Sequence, residues 1–273
     1  MAAKLLEHAL NAEDPPWNAI PVISTGVAAI DGDAAVMRDA DEHARAGDLI
    51  RLEAQRPGLE GSERRLDLAE ALIDPPEGLI DVLVTDHTDS SNGFAQVVPS
   101  NRITVFARPP VDLLSLGYFD DWMELVITHE LAHIVHLDRT DNLVGKVARG
   151  LFGRVTGPWP FFPETGTPRW LTEGIATWYE SDLTEAGRAK GTFNEMVLRT
   201  AAFEGRFESI GQASGRSPQW PGGTRQYAYG SLFFDHLLTK FGEDRMAPFV
   251  EAIAAQWVPY RLNAAGRDAF RVS

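Results

Sequence analysis

The pattern of apolar and polar positions changes character near residue 120. Before it, short apolar runs alternate with breakers. Leu79–Thr85 (LIDVLVT) and Ile103–Ala107 (ITVFA) are short and rich in β-branched residues, which predicts strands. Asn92–Val98 (NGFAQVV) reads as a further strand, closed by a turn at Pro99-Ser100-Asn101. Residues 20–36 read as a strand, a turn near Asp31-Gly32 and the start of a helix. Residues 62–73 have helical spacing, with Leu66, Ala69, Leu72 and Ile73 on one face. Pro-Pro pairs at Pro15-Pro16, Pro75-Pro76 and Pro109-Pro110 punctuate the segment. An α+β lobe over residues 1–115 follows from this pattern.

From Asp120 onward the spacing is mostly helical. Asp121 is a good N-cap with Glu124 three residues later, and the helix it starts runs to about Leu137. A second helix starts after Pro168, a third covers about Tyr227–Phe241 and ends at Gly242, and a fourth covers about Arg245–Trp257. Between the first two lies a Gly- and Pro-rich stretch with Phe152, Trp159, Phe161 and Phe162, expected to pack as a loop on the helical lobe. A lid, or a face for another domain or a membrane surface, is the other use of such a stretch. The closing GRDAFRVS carries no helix-stop signal. The reading is one catalytic domain, with residues 116–273 as its helical lobe and a further C-terminal domain left open.

Composition narrows the function classes. With 44% hydrophobic and 23% charged residues, the chain is globular rather than disordered. A net charge of −14 argues against nucleic acid as a partner, because phosphate neutralisation needs surplus Lys and Arg. The absence of cysteine excludes disulfides, thiolate metal sites and a thiol nucleophile. No stretch has the roughly 18 apolar residues of a membrane span. Glu7 and His8 interrupt the apolar run of MAAKLLEHAL, so it does not read as a signal peptide, and the compartment stays open.

The segment that carries chemistry is His129-Glu130-Leu131-Ala132-His133. Residues i and i+4 share a helix face, so two imidazoles can address one ion. Neutral imidazole suits zinc, which in a catalytic site takes a third protein ligand and keeps one open position. Glu130 is rotated about 100° from His129 and can act as a base beside that position. The flanks Leu125, Val126, Ile127, Leu131, Ala132, Ile134 and Val135 predict a helix buried on most sides. Polar side chains inside such a helix are costly unless they are paired or bind metal.

The third ligand separates the zinc classes. A metzincin has a glycine three residues after the second histidine and a third histidine three residues further on. Here those places hold His136 and Arg139, which excludes that class. A carboxylate on a later helix remains, and Arg169–Glu180 (RWLTEGIATWYE) offers Glu173. Leu171, Ile175 and Trp178 form its apolar stripe, while Glu173, Ala176, Thr177 and Glu180 fall on another face. Gly174 and Ala176 are small enough to let this helix approach the first. Glu180 is placed to accept a hydrogen bond from a ligating histidine. A glutamate in a first helical turn also has a purely dipolar reason to be there.

HELAH followed by WLTEGIATWYE resembles the gluzincins, zinc peptidases with two His and one Glu as ligands. More narrowly, LVTDHTDSSNGFA, the Asp120-Asp121-Trp122 step and PRWLTEGIA resemble the peptidase-MA-like domains found ahead of bacterial β-propellers. The resemblance runs from about Leu79 to the C-terminus and is weak over residues 1–60. It implies a thermolysin-like zincin fold, with a mixed-sheet lobe, an HExxH helix and a mostly helical C-terminal lobe. It implies one Zn²⁺ per chain held by His129, His133 and Glu173, with Glu130 as general base and a peptide or protein substrate. Tyr227-Ala228-Tyr229-Gly230 is similar to the Tyr-x-x-Gly helix start that supplies an oxyanion donor. Tyr227 takes that role, with Tyr229 as alternate and His236 two turns deeper. Gly93, Phe94 and Ala95 are the implied substrate-pairing edge strand. The Gly-x-Met-Glu-Asn element that recognises a free amine in the aminopeptidases is absent. Relatives of this kind are often exported.

The remaining histidines have simpler readings. His136 is expected to be solvated or satisfied in the core, and His8 and His43 are incidental. Asp86, His87 and Asp89 form a polar turn after a strand. The competing functions are a non-catalytic binding domain stabilised by its metal, and a zinc hydrolase of a non-peptide bond.

Overall fold

The computed structural model describes residues 49–52, 80–85, 88–111, 116, 118–157, 159–184, 186–214, 220–258 and 261–272. The elements expected over 20–36 and 62–73 lie outside these, as do His8, His43, Asp86 and His87. The described part is α+β and mostly helical: a small sheet built before residue 107, and seven α-helices after residue 121.

Four strands, β1 (Leu49–Leu52), β2 (Ile80–Thr85), β3 (Gly93–Gln96) and β4 (Arg102–Phe106), pair in the order β1-β2-β4-β3. β2 and β4 are parallel, with Val82 opposite Ile103. β1 runs antiparallel to β2 and β3 antiparallel to β4, with Phe94 opposite Thr104. The sheet is therefore mixed, and β3 lies at one edge. Strict alternation in β2 turns Ile80, Val82 and Val84 inward, where they meet Ile103 and Val105 of β4.

Helix α1 (Trp122–Leu137) starts where Asp121 caps it, its carboxylate accepting from the N–H groups of Met123 and Glu124. Its apolar residues do not form one stripe, because it is packed on two sides. Trp122, Leu125, Val126, Ile127 and Ile134 belong to the core under the sheet. Ala132 and Val135 belong to the helical core. A helix apolar nearly all round is the pattern of a central one.

Helix α2 (Leu143–Phe152) falls in the stretch expected to be a loop. Asn142 caps it, accepting from the Gly145 N–H. It turns Gly145 and Arg149 toward the body and leaves Leu143, Val147, Leu151 and Phe152 exposed. Of the aromatic residues nearby, Phe162 is buried beneath the Arg149 and Arg154 guanidinium groups, and Trp159 stays partly exposed.

The helical core is built by α3 (Arg169–Leu183), α4 (Thr192–Phe203), α5 (Arg225–Phe241), α6 (Met246–Ala254) and α7 (Leu262–Phe270). Gly242, at φ 103°, ends α5 as expected. The fourth expected helix is shorter than its pattern suggested, stopping at Ala254. Helices α4 and α7 had no sequence expectation.

Gly174 has a different neighbour from the one expected. It faces α5 rather than α1, and a Cβ on it would lie 2.6 Å from the Gly230 backbone. Ala176 is the small residue that shares a core with Ala132 of α1. The α3–α5 crossing is thus a glycine–glycine contact. Gly230→Ala would drive a methyl into the Trp170 carbonyl oxygen and the Gly174 Cα. It is expected to destabilise the chain by about 2 kcal/mol through overpacking, read as a lower urea midpoint at unchanged slope.

Candidate metal centre

Helix geometry puts His129 and His133 one turn apart, and their Nε2 atoms lie 3.1 Å from each other. Helix α3 brings the third group. Glu173 Oε2 lies 3.5 Å from His129 Nε2 and 3.3 Å from His133 Nε2. The other oxygen, Oε1, lies 3.5 Å from Arg169 Nη2. These three side chains form a cluster able to hold a metal ion, nearly buried, with side-chain exposures of 8%, 10% and 14%. Their ligand atoms face one another, with Arg188 Nη2 approaching His129 Nε2 at 3.3 Å. That arrangement fits an ion better than it fits three mutual hydrogen bonds.

The surrounding groups hold the cluster in place. Glu180, one further pair of turns along α3, accepts from His129 Nδ1 at 2.7 Å. A proton on Nδ1 directed at this carboxylate would leave the Nε2 lone pair facing the cluster for a metal. The Nδ1 of His133 is buried without a hydrogen-bond partner. His136 is buried in the core and half-satisfied: its Nε2 meets Glu164 Oε2 at 2.9 Å, with both residues at most 1% exposed, while its Nδ1 is buried without a partner. Glu164 sits in the short 3₁₀ turn Pro163–Gly166, just before α3. The pair therefore ties the back of α1 to the start of the helix that carries Glu173.

Charges at the site are strongly coupled. Burial and the Arg188 cation disfavour protonation of His129, but the Glu173 and Glu180 carboxylates outweigh them and hold it up to about 9 when no metal competes. Burial alone would raise Glu173, yet its contacts with His129 and His133 hold it well below the usual carboxylate range. Burial likewise opposes ionisation of Glu180, and Arg188 and His129 overcome it, lowering the carboxyl to about 2. The carboxylates are thus ionised, as metal binding and hydrogen-bond acceptance both need.

Glu130 is 5% exposed and stands beside the cluster without belonging to it. Strand β3 passes directly over it. A Cβ built on Gly93 would lie 3.1 Å from Glu130 Oε1 and 2.5 Å from Val126 Cγ2, so only glycine permits this approach. Ala95 is partly buried against the same core, and Phe94 points the other way, 45% exposed, its ring edge-on to Phe106. The outer edge of β3 carries no further strand among the described residues.

The structure separates the two tyrosines. The Tyr227 ring lies 6.3 Å from that of His129, and the Arg188 guanidinium sits 4.3 Å above it. Burial, reinforced by the Glu173 carboxylate, raises the Tyr227 phenol against the opposing Arg188 cation, so it remains a donor at neutral pH. Tyr229 is fully buried, stacked on Phe207, with its hydroxyl unpartnered. His236, further along α5, is not part of the cluster. Asp89 is exposed and pairs with Arg108 at 2.6 Å, and no second metal cluster involves it among the described residues.

Arg188 and Glu164 have no counterpart in the sequence reading. Arg188 lies in a loop without periodicity. The one signal for it was electrostatic, since two buried carboxylates on α3 need a counter-charge. Compared with protein-family models, curated proteins and solved structures, the chain matches none.

Proposed function

We propose that the chain is a zinc-dependent peptidase of the gluzincin kind, with His129, His133 and Glu173 as ligands and Glu130 as general base. The observation that carries this is the ligand triangle. Zinc arms of about 2.0–2.1 Å in a tetrahedron give donor–donor edges of about 3.3 Å. The edges here are 3.1, 3.3 and 3.5 Å. Three protein ligands leave a fourth position open, which is the catalytic rather than the structural pattern.

A bound zinc supplies Lewis acidity and makes water a nucleophile near neutral pH. The chain's own groups do the rest. Glu130 takes a proton from the attacking water and delivers it to the leaving amine. Tyr227 donates to the oxygen on which negative charge develops, worth about 3 kcal/mol in comparable donors. The free edge of β3 pairs with an extended substrate backbone, and Gly93 lets that strand lie against the base. The Glu180 contact keeps His129 in its ligating tautomer. A scaffold stabilised by metal has no use for a buried, unliganded carboxylate at Glu130.

The test is metal analysis followed by digestion of a mixed peptide library. One zinc per chain is expected, with cleavage abolished by a chelator and restored by zinc. Bound zinc without cleavage of any peptide overturns the peptidase reading in favour of a binding domain. Cleavage confined to ester or amide surrogates overturns it in favour of a non-peptide hydrolase.

A further inference from the structure

The strongest unassigned feature of the molecule is the guanidinium of Arg188, whose side chain is 10% exposed. We infer that Arg188 is a positioning residue that acts through Glu180 to weaken the electron donation of His129 to its metal, keeping the bound ion electron-poor. The inference rests on the metal reading above and deepens it.

Glu180 is 0% exposed and has four hydrogen-bond contacts. Its Oε1 accepts from the main-chain N–H of Arg188 at 2.8 Å and from Arg188 Nε at 2.8 Å. Its Oε2 accepts from Arg188 Nη2 at 2.6 Å and from His129 Nδ1 at 2.7 Å. One carboxylate oxygen is therefore shared between a ligand imidazole and a cation. The same Nη2 lies 2.8 Å from His129 Nδ1 and 3.3 Å from Nε2, so the guanidinium rests against the imidazole itself. The Tyr227 ring covers its other side.

A carboxylate on the distal nitrogen of a ligating histidine raises the basicity of the ligand. A guanidinium fork on that carboxylate draws charge away from it and offsets the effect. A unit positive charge beside the ligand also opposes a dication directly. Both effects have the same sign: they lower metal affinity and leave the ion a stronger Lewis acid. Orientation does not depend on the side chain, because the Arg188 main-chain N–H and His129 each hold one oxygen of Glu180. Removing the guanidinium thus takes away charge while the carboxylate stays anchored.

The experiment measures zinc Kd in the full chain by competition with a chromophoric chelator, with thermal unfolding as the check on folding. Arg188→Met is expected to bind zinc about tenfold more tightly than the wild type. Arg188→Lys, which keeps the charge and loses the fork, is expected to rescue affinity to within about twofold of wild type. Glu180→Gln leaves the cation uncompensated and is expected to weaken zinc about tenfold or more. The double variant, which removes both charges, is expected to return toward the wild-type value. Unchanged or weaker binding in a folded Arg188→Met chain overturns the inference, as does a Lys variant that loses affinity. Should Arg188→Met not fold, Arg188→Gln, which removes the charge but keeps a polar side chain, is read in its place, and unchanged or weaker zinc binding in it overturns the inference equally. A wild-type chain that binds no zinc overturns the metal reading instead.

Discussion

Replacing Glu130 by glutamine is expected to lower peptide turnover about 10³-fold while one zinc per chain remains bound. The two residues have the same volume, so the packing of α1 between sheet and helices is undisturbed. Zinc stays because Glu130 is outside the ligand triangle of His129, His133 and Glu173. Turnover falls because a carboxamide cannot accept the proton of the attacking water at neutral pH. A fluorogenic peptide assay paired with metal analysis reads both quantities. Undiminished turnover removes Glu130 from the role of base. Loss of zinc assigns it to coordination instead.

Gly93→Ala is expected to cut kcat/KM about 10²-fold and to lower the melting temperature by a few degrees through overpacking, with zinc affinity close to wild type. The new methyl would fall 2.5 Å from Val126 Cγ2 and 3.1 Å from both Cγ and Oε1 of Glu130. Val126 is held in the core beneath the sheet, so the strand or the Glu130 side chain must give way. Either shift moves the substrate-pairing edge and the base apart, and a displacement of about 1 Å is enough for a loss of this size. Phe94→Ala, on the opposite face of the same strand, is the control, since it alters no group next to Glu130. Equal losses from both substitutions would mean that the strand matters for folding rather than for holding substrate over the base.

How much of this was legible depended on the range of the interactions involved. Helix α1 was readable end to end, because its cap at Asp121, its apolar content and its i, i+4 histidines are local properties. The face of α3 carrying Glu173 and Glu180 was readable for the same reason: seven residues is nearly two full turns. Helix α2 has the i, i+4 spacing of Leu143, Val147 and Leu151, but the Gly and Pro residues in and after it pointed to a loop. Helix α7 was hidden because its buried face is small, with Ala265 and Ala269 in place of large residues. The role of Gly174 was misassigned since a small residue announces a close contact without naming the partner.

The amino-acid sequence by itself determined the arrangement within one helical turn: His129 and His133 share a face, and Glu130 is rotated about 100° from His129. Those relations follow from a fixed rise and rotation per residue. Only the tertiary structure decided that Glu173 closes the triangle, that Tyr227 rather than Tyr229 borders it, that Gly93 lies on Glu130, and that a loop arginine grips Glu180. Each of these joins groups tens of residues apart. Their meeting is settled by how apolar faces pack and how buried charges find partners, which no local spacing encodes.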